Sequence, residues 1–373
     1  MDNSVQQQAQ KCLACKKPLC KVACPLGNDI PNVLQLVKNQ QYRQAVGLFG
    51  HAFGELCGYL CPHQQQCLGA CVLNAKGNAV NFPLVERWLF HNFPVEICQK
   101  SSALQGKKVC VVGGGVSGLT FAIKVLQAGA DVTVFEPYKL LSTLYTIPSF
   151  RLPRQVLDNL VQRVQSSPIK IVCQQVQPSQ IATLAEQYHF VYVATGVGEA
   201  RTLGIPGQEL ATTYQQCLLG KLCGNVVVVG GGNTAIDCAR LAKSQGCNVT
   251  VVYRRSEEEM PAFQTEVDHA KNEGVLFQTH QAPVSLEKQG QNLCLTVAKT
   301  VSHNRKSLQI TNETHQICCD FVVSALGNNT SPFASLQQQA LPNVLFGGDV
   351  AGGSLVVHAI RDALLCATKL EER

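Results

Sequence analysis

The chain has 373 residues, 46% of them hydrophobic and 15% charged, with a formal net charge of +6. That length suits two or three domains with buried cores, and the composition excludes a disordered chain. The modest positive charge favours an acidic partner surface but forms no Lys/Arg run of the kind that binds nucleic acid, and no apolar run is long enough to insert in a membrane.

The opening MDNSVQQQAQ lacks the basic and apolar regions of a secretory signal, so a cytoplasmic location is expected. Residues 1–104 read as short helical stretches, such as Ile30–Phe49, with little strand character. Eight of the 19 cysteines fall within residues 12–71, as Cys12-x2-Cys15-x4-Cys20-x3-Cys24-Pro25 and Cys57-x3-Cys61-x5-Cys67-x3-Cys71. In a reducing compartment such clusters are metal ligands more often than disulfides, and the scattered remainder read as small core residues. A zinc ribbon calls for two separated CxxC pairs, and only Cys12–Cys15 qualifies. In two-cluster ferredoxins the fourth cysteine of a run ligates the other cluster, so interleaved ligation is chemically sound. Two iron–sulfur clusters is the leading reading; structural zinc and incidental core thiols are the alternatives.

From Lys107 the texture becomes strand–glycine–helix–strand, KKVCVVGGGVSGLTFAIKVLQAGADVTVFE, and it returns at Asn225 as NVVVVGGGNTAIDCARLAKSQGCNVTVVYRR. Such alternation implies parallel sheets covered by helices, an α/β fold. In the first unit a strand at Val109–Val112 leads into Gly113, Gly115 and Gly118, with a helix starting near Ser117. The glycines permit a tight turn, close approach to a pyrophosphate and close helix–strand packing, while the helix N-terminus offers N–H groups to phosphates. Glu136 ends the second strand, where its carboxylate can accept the ribose hydroxyls of an unphosphorylated adenosine, so FAD is expected here.

The second unit has Gly230, Gly232, Asn233, Thr234 and Ala235, with Ala in place of the third glycine. Its second strand ends in Tyr253-Arg254-Arg255 rather than an acid. An acid would repel a 2′-phosphate, whereas guanidinium groups pair with one, so NADPH is expected over NADH. A late segment, Gly347-Gly348-Asp349 followed by a helix starting near Ser354, reads as a return to the flavin site, with Gly348 and Asp349 as candidate contacts. The second dinucleotide domain is then inserted into the first. The expected boundaries are 1–104 for a helical iron–sulfur domain, 105–222 with 320–373 for FAD, and 223–319 for NADPH. The parts are chemically consistent, because NADPH gives two electrons as hydride, a cluster accepts one, and a flavin does both.

The ordered set CLACKKPLCKVACP, CGYLCPHQQQCLGAC, VVGGGVSGL, IPSFRLP, LGIPG, VVGGGNTAIDCAR, VYRRSEEEMPA and GGDVAGG resembles the family of the glutamate synthase small subunit and the amino-terminal half of dihydropyrimidine dehydrogenase. The resemblance covers nearly the whole chain. It implies that Cys12, Cys15, Cys20 and Cys71 hold one 4Fe–4S cluster, and that Cys24, Cys61, Cys67 and Glu86 hold another, leaving Cys57 over. It also implies an electron-input subunit that needs a catalytic partner subunit or a ferredoxin-like acceptor. One departure stands out: Leu140, Leu141 and Thr146 occupy positions where the family carries glycines beside the flavin ring. Either the loop has moved and the flavin still stacks, or FAD is held through its ADP half alone. Two rival readings are a disulfide reductase, which needs a CxxC beside the flavin and finds none after residue 24, and a scaffold or sensor that has lost flavin chemistry.

Overall fold

The computed structural model describes residues 3–304, 307–339 and 341–372. Its first hundred residues form α1 (Asn3–Lys11), α2 (Leu19–Ala23), α3 (Ile30–Lys38), α4 (Tyr42–Gly47), α5 (Gly54–Leu60) and α6 (Phe82–Asn92). Asp29 caps α3 by accepting the Asn32 N–H, with Pro31 in the first turn where its missing donor costs nothing. Ile30, Val33, Leu34 and Val37 then recur at helical spacing and are buried. The helical stretch expected over Ile30–Phe49 is broken at Gln40, whose φ is 61°. The Gln41 N–H reaches the Leu36 carbonyl and the Gln40 N–H the Val37 carbonyl. That is a left-handed helix stop of the kind glycine usually makes, with glutamine in its place. Asn81 caps α6 in the same way as Asp29 caps α3. Helices α1, α3, α4 and α6 close over a core that includes Val5, Leu34, Val37, Phe82, Val85 and Phe90.

His51 is a buried polar member of this layer. Its ring stacks on Phe90 and its Nδ1 accepts the Phe53 N–H at 3.2 Å. Burial pushes its pKa down to about 4. The folded value lies below that of the unfolded chain, so stability is lost as pH falls, when the unfolded histidine gains a proton that the folded one refuses. Lowering the pH from 7 to 5 should cost about 2 kcal/mol through this residue. Urea unfolding followed at both pH values checks it: His51→Asn, which keeps an acceptor for Phe53, should flatten the pH dependence relative to the parent.

The first strand layer comprises β1 (Lys108–Val112), α7 (Val116–Gln127), β2 (Asp131–Phe135), α8 (Arg154–Gln165), β3 (Lys170–Val172), α9 (Ile181–Gln187) and β4 (Phe190–Val193). The chain continues through β5 (Thr212–Thr213), α10 (Tyr214–Leu219), β6 (Asn225–Val229), α11 (Asn233–Ser244), β7 (Asn248–Val252), α12 (Gln264–Asn272) and β8 (Leu276–Gln278). Three long strands follow, β9 (Gln281–Gln289), β10 (Asn292–Asn304) and β11 (Ser307–Cys319), before β12 (Phe321–Ser324), β13 (Val344–Phe346) and α13 (Val356–Glu371). The first sheet has the order β13-β4-β1-β2-β3 and the second β5-β12-β6-β7-β8; both are parallel.

Contacts divide the described residues into two units. The first runs to Tyr145 and includes Ser149–Val197 and the residues from Ser331; the second holds Thr146–Pro148 and Gly198–Thr330. The second unit is thus wider than residues 223–319, because β5 and β12 both hydrogen-bond into its sheet. Strand β12 is a short apolar run, and nothing in such a run states which parallel sheet it joins. Strands β9, β10 and β11 form an antiparallel meander. Its inward residues Leu286, Leu295 and Val297 pack with Val227, Val229 and Val252 of the second sheet, which keeps one face of that sheet dry. Among the described residues no helix is long and apolar enough to cross a membrane.

Candidate functional site

The eight clustered cysteines of the first unit line two cavities. Cys12, Cys15, Cys20 and Cys71 border one, and Cys67 reaches its edge. Cys24, Cys57, Cys61, Cys67 and Glu86 border the other. Short elements with sharp ends produce this convergence: Cys20 lies within α2, Cys24 stops it, and Cys61 stops α5. Ala14 takes a φ of 48°, which curls the chain between Cys12 and Cys15. Glu86 lies on the inward stripe of α6, one turn from Phe82 and from Phe90, so the capping that sets the register of α6 also aims its carboxylate. Cys57 is fully buried, one turn before Cys61 on α5, and hydrogen-bonds to it. Sequence reasoning had left Cys57 without a place.

The donor chemistry suits an electron-poor metal centre. Burial raises the Cys12 and Cys24 thiols, and it pushes Cys20 up to about 11, with neighbouring thiols adding to each rise. Burial likewise holds Glu86 well above the usual carboxylate range, helped by Cys61. Crowded, buried thiols make poor thiolates by themselves, and a cationic metal centre reverses that balance. Among the described residues no three His, Cys, Asp or Glu side chains converge tightly enough for a single metal ion.

Also in the first unit, β1 runs into Gly113, whose φ of 109° and position against the Ala194 carbonyl leave no room for a side chain. No atom lies within 4 Å of where a Cβ on Gly115 would stand, so this side of the turn is an open cradle at the start of α7. Gly118 packs against the Gly113 carbonyl. Glu136 is buried; its Oε2 accepts the Gly114 N–H at 2.7 Å and its Oε1 the Tyr138 N–H at 2.9 Å. Each oxygen keeps a lone pair for a ribose hydroxyl. The Ser117 hydroxyl is hydrogen-bonded to the Tyr192 hydroxyl at 2.8 Å, and Gly348 lies against the same serine. The late GGD segment thus returns to the first turn. Asp349 lies in a 3-10 turn over Gly348–Ala351, and α13 begins at Val356, later than the expected start near Ser354.

Leu140 and Leu141 are both buried. A Cβ on Gly114 would lie 2.7 Å from Leu140 Cδ2, and the Leu141 N–H donates to the Gly114 carbonyl at 2.9 Å. Leu141 takes a φ of 58°, a conformation that glycine adopts without strain and leucine does not. The loop is anchored to α8, where Asp158 accepts from the Tyr145 hydroxyl at 2.5 Å and from Lys139 at 3.1 Å. Thr146 closes the 3-10 turn over Ser142–Thr146. The turn fits the pyrophosphate and ribose of a dinucleotide, while the leucines take up space beside Gly114.

In the second unit β6 runs into Gly230, and Gly232 again has open space where a Cβ would stand. Ala235 is fully buried, Thr234 half-buried, and Asn233 Oδ1 accepts the Phe263 N–H at 2.9 Å. Arg254 is exposed, with its carbonyl accepting from the Thr300 hydroxyl at 2.7 Å. Arg255 is half-buried and ion-paired with Glu259 at 3.1 Å. The two arginines therefore differ in availability, and Arg254 presents the exposed guanidinium. Glu259 escaped sequence reasoning, although Ser256-x-x-Glu259 reads as a capping box and the structure contains one.

Comparison with known proteins places this geometry. Residues 1–96 match the family described as dihydropyrimidine dehydrogenase domain II, 4Fe-4S cluster, and residues 107–363 match pyridine nucleotide-disulphide oxidoreductases. The glutamate synthase (NADPH) small chain of Halomonas elongata is 30% identical over 87% of this chain and 76% of its own length. That of Escherichia coli is 27% identical over 97% of this chain and 89% of its own. Among solved structures, FprA of Mycobacterium tuberculosis in complex with NADPH shares the fold at a TM-score of 0.57 and 16% identity, covering 71% of this chain and 84% of that one. A thioredoxin reductase from T. acidophilum does so at 0.55 and 17%, covering 71% of this chain and 98% of that one. The chain is an oxidoreductase of the pyridine nucleotide-disulphide oxidoreductase family, with a 4Fe-4S domain of the dihydropyrimidine dehydrogenase type preceding its paired dinucleotide folds.

Proposed function

We propose that this chain is the electron-input subunit of a cytoplasmic enzyme, oxidising NADPH and passing single electrons to a partner. The partner is a catalytic subunit, as small and beta chains among its relatives suggest, or a ferredoxin-like acceptor. The observation that carries the reading is the division of the clustered thiols between two cavities, in the same unit as a complete dinucleotide turn. In this reading Cys12, Cys15, Cys20 and Cys71 hold one 4Fe–4S cluster, and Cys24, Cys61, Cys67 and Glu86 hold the other. Bound FAD supplies the exchange between hydride and single electrons. The chain's own part is to hold and orient: Gly113, Gly115 and the start of α7 receive the pyrophosphate, and Glu136 the ribose. In the second unit, Gly230, Gly232 and the start of α11 receive the NADPH pyrophosphate, and Arg254 meets the 2′-phosphate.

The packing of Leu140 and Leu141 on the first turn favours a second reading, a scaffold that keeps the fold without flavin chemistry. One measurement separates them. Protein reconstituted anaerobically with iron, sulfide and FAD should lose its flavin absorbance near about 450 nm when NADPH is added. Protein that loads iron but retains no FAD, or whose bound FAD does not bleach, supports the scaffold instead.

A further inference from the structure

On the first unit, an open groove of about 910 Å³ is walled by Pro18, Leu19, Val22, Cys24, Leu364 and Leu365. Its apolar side chains stand out into solvent, Val22 at 82% exposure, Leu365 at 55% and Leu19 at 54%. Leu13, at 63%, extends the apolar face across the neighbouring cavity that Cys12, Cys15, Cys20 and Cys71 line. Lys17, Lys21 and Arg361 border the groove. Lys21 pairs with Asp29 and Arg361 with Asp362, whereas residues 11–27 hold Lys11, Lys16, Lys17 and Lys21 without one acidic residue. An apolar centre with a cationic rim is the anatomy of a protein interface, and side chains this exposed do not enclose a small molecule.

We infer that this face is where the electron-accepting partner docks, and that the partner presents an acidic surface around a one-electron centre. The inference rests on the electron-input reading above and adds the exit to it. Leu19 and Pro18 border both the groove and the first thiol cavity, and Cys24 borders both the groove and the second. A partner seated here lies one side-chain layer from either cavity. The lysines set its charge: opposite charge steers the encounter, and like charge blocks it.

The test uses the reconstituted full-length protein with NADPH and two acceptors: an acidic plant-type 2Fe–2S ferredoxin, and 1,4-benzoquinone, which is small, uncharged and needs no docking. The wild type should reduce both, and ferredoxin reduction should slow as ionic strength rises. Lys17→Glu combined with Val22→Asp should slow ferredoxin reduction by about tenfold or more, with iron content and benzoquinone reduction unchanged. Lys288→Glu, an exposed charge reversal in the second unit, should change neither rate. The proposal is overturned if the double variant reduces ferredoxin as fast as the wild type, if Lys288→Glu slows it equally, or if the wild type reduces benzoquinone but not ferredoxin. A wild type inactive toward both acceptors defeats the electron-input reading and this proposal with it.

Discussion

Replacing Cys20 by Ser should lower the iron and acid-labile sulfide of the reconstituted protein from about eight of each per chain to about four. Cys20 lies in the wall of only one thiol cavity, so its loss should empty that site and leave the Cys24, Cys61, Cys67 and Glu86 site loaded. Cys57→Ser is the matched control. Cys57 borders the second cavity and hydrogen-bonds to Cys61, but four other donors surround the same space, so the iron count should stay near about eight. Quantitative iron and sulfide analysis of protein made anaerobically with iron supplied reads all three. Stoichiometric zinc in that preparation, or a Cys20→Ser protein that keeps its full complement, would sink the two-cluster assignment.

Arg254→Glu should raise the Michaelis constant for NADPH by about 30- to 150-fold, the equivalent of about 2–3 kcal/mol for charge-assisted hydrogen bonds to a phosphate. The constant for NADH, which lacks that phosphate, should move far less. Arg255→Glu should be less selective, because it also breaks the ion pair with Glu259 and places two carboxylates together beside the Ser256–Glu259 turn. Steady-state kinetics with both coenzymes, following benzoquinone reduction, separates the cases. Equal shifts for NADPH and NADH in Arg254→Glu would mean that this arginine does not read the phosphate.

Much of the architecture is visible in the chain before any folding, because its signals are local. The runs before Gly113 and Gly230 must be buried parallel strands, since they are apolar without alternation and lead into glycine turns and helical patterns. The eight clustered cysteines announce metal chemistry by their spacing, and Tyr253-Arg254-Arg255 replaces an acid with cations where a nucleotide fold ends its second strand. Less legible was the end of α3, where Gln40 makes a left-handed stop normally written as glycine. The meander of β9, β10 and β11 was also missed: many of its residues are exposed, which leaves little contrast between its two faces.

By itself, then, the sequence determined a helical cysteine-bearing region followed by two dinucleotide folds of α/β type, and with them an oxidoreductase. These follow from periodicity and from residues close together in the chain. The tertiary structure decided which residues meet. It grouped thiols from distant segments around two cavities, joined β5 and β12 to the second sheet, and brought Gly348 to Ser117. It also tied Arg255 to Glu259 while exposing Arg254, and packed Leu140 and Leu141 onto the first nucleotide turn. Most of these depend on a long-range contact or a side-chain direction set by packing, for which the local sequence pattern supplies candidates rather than partners.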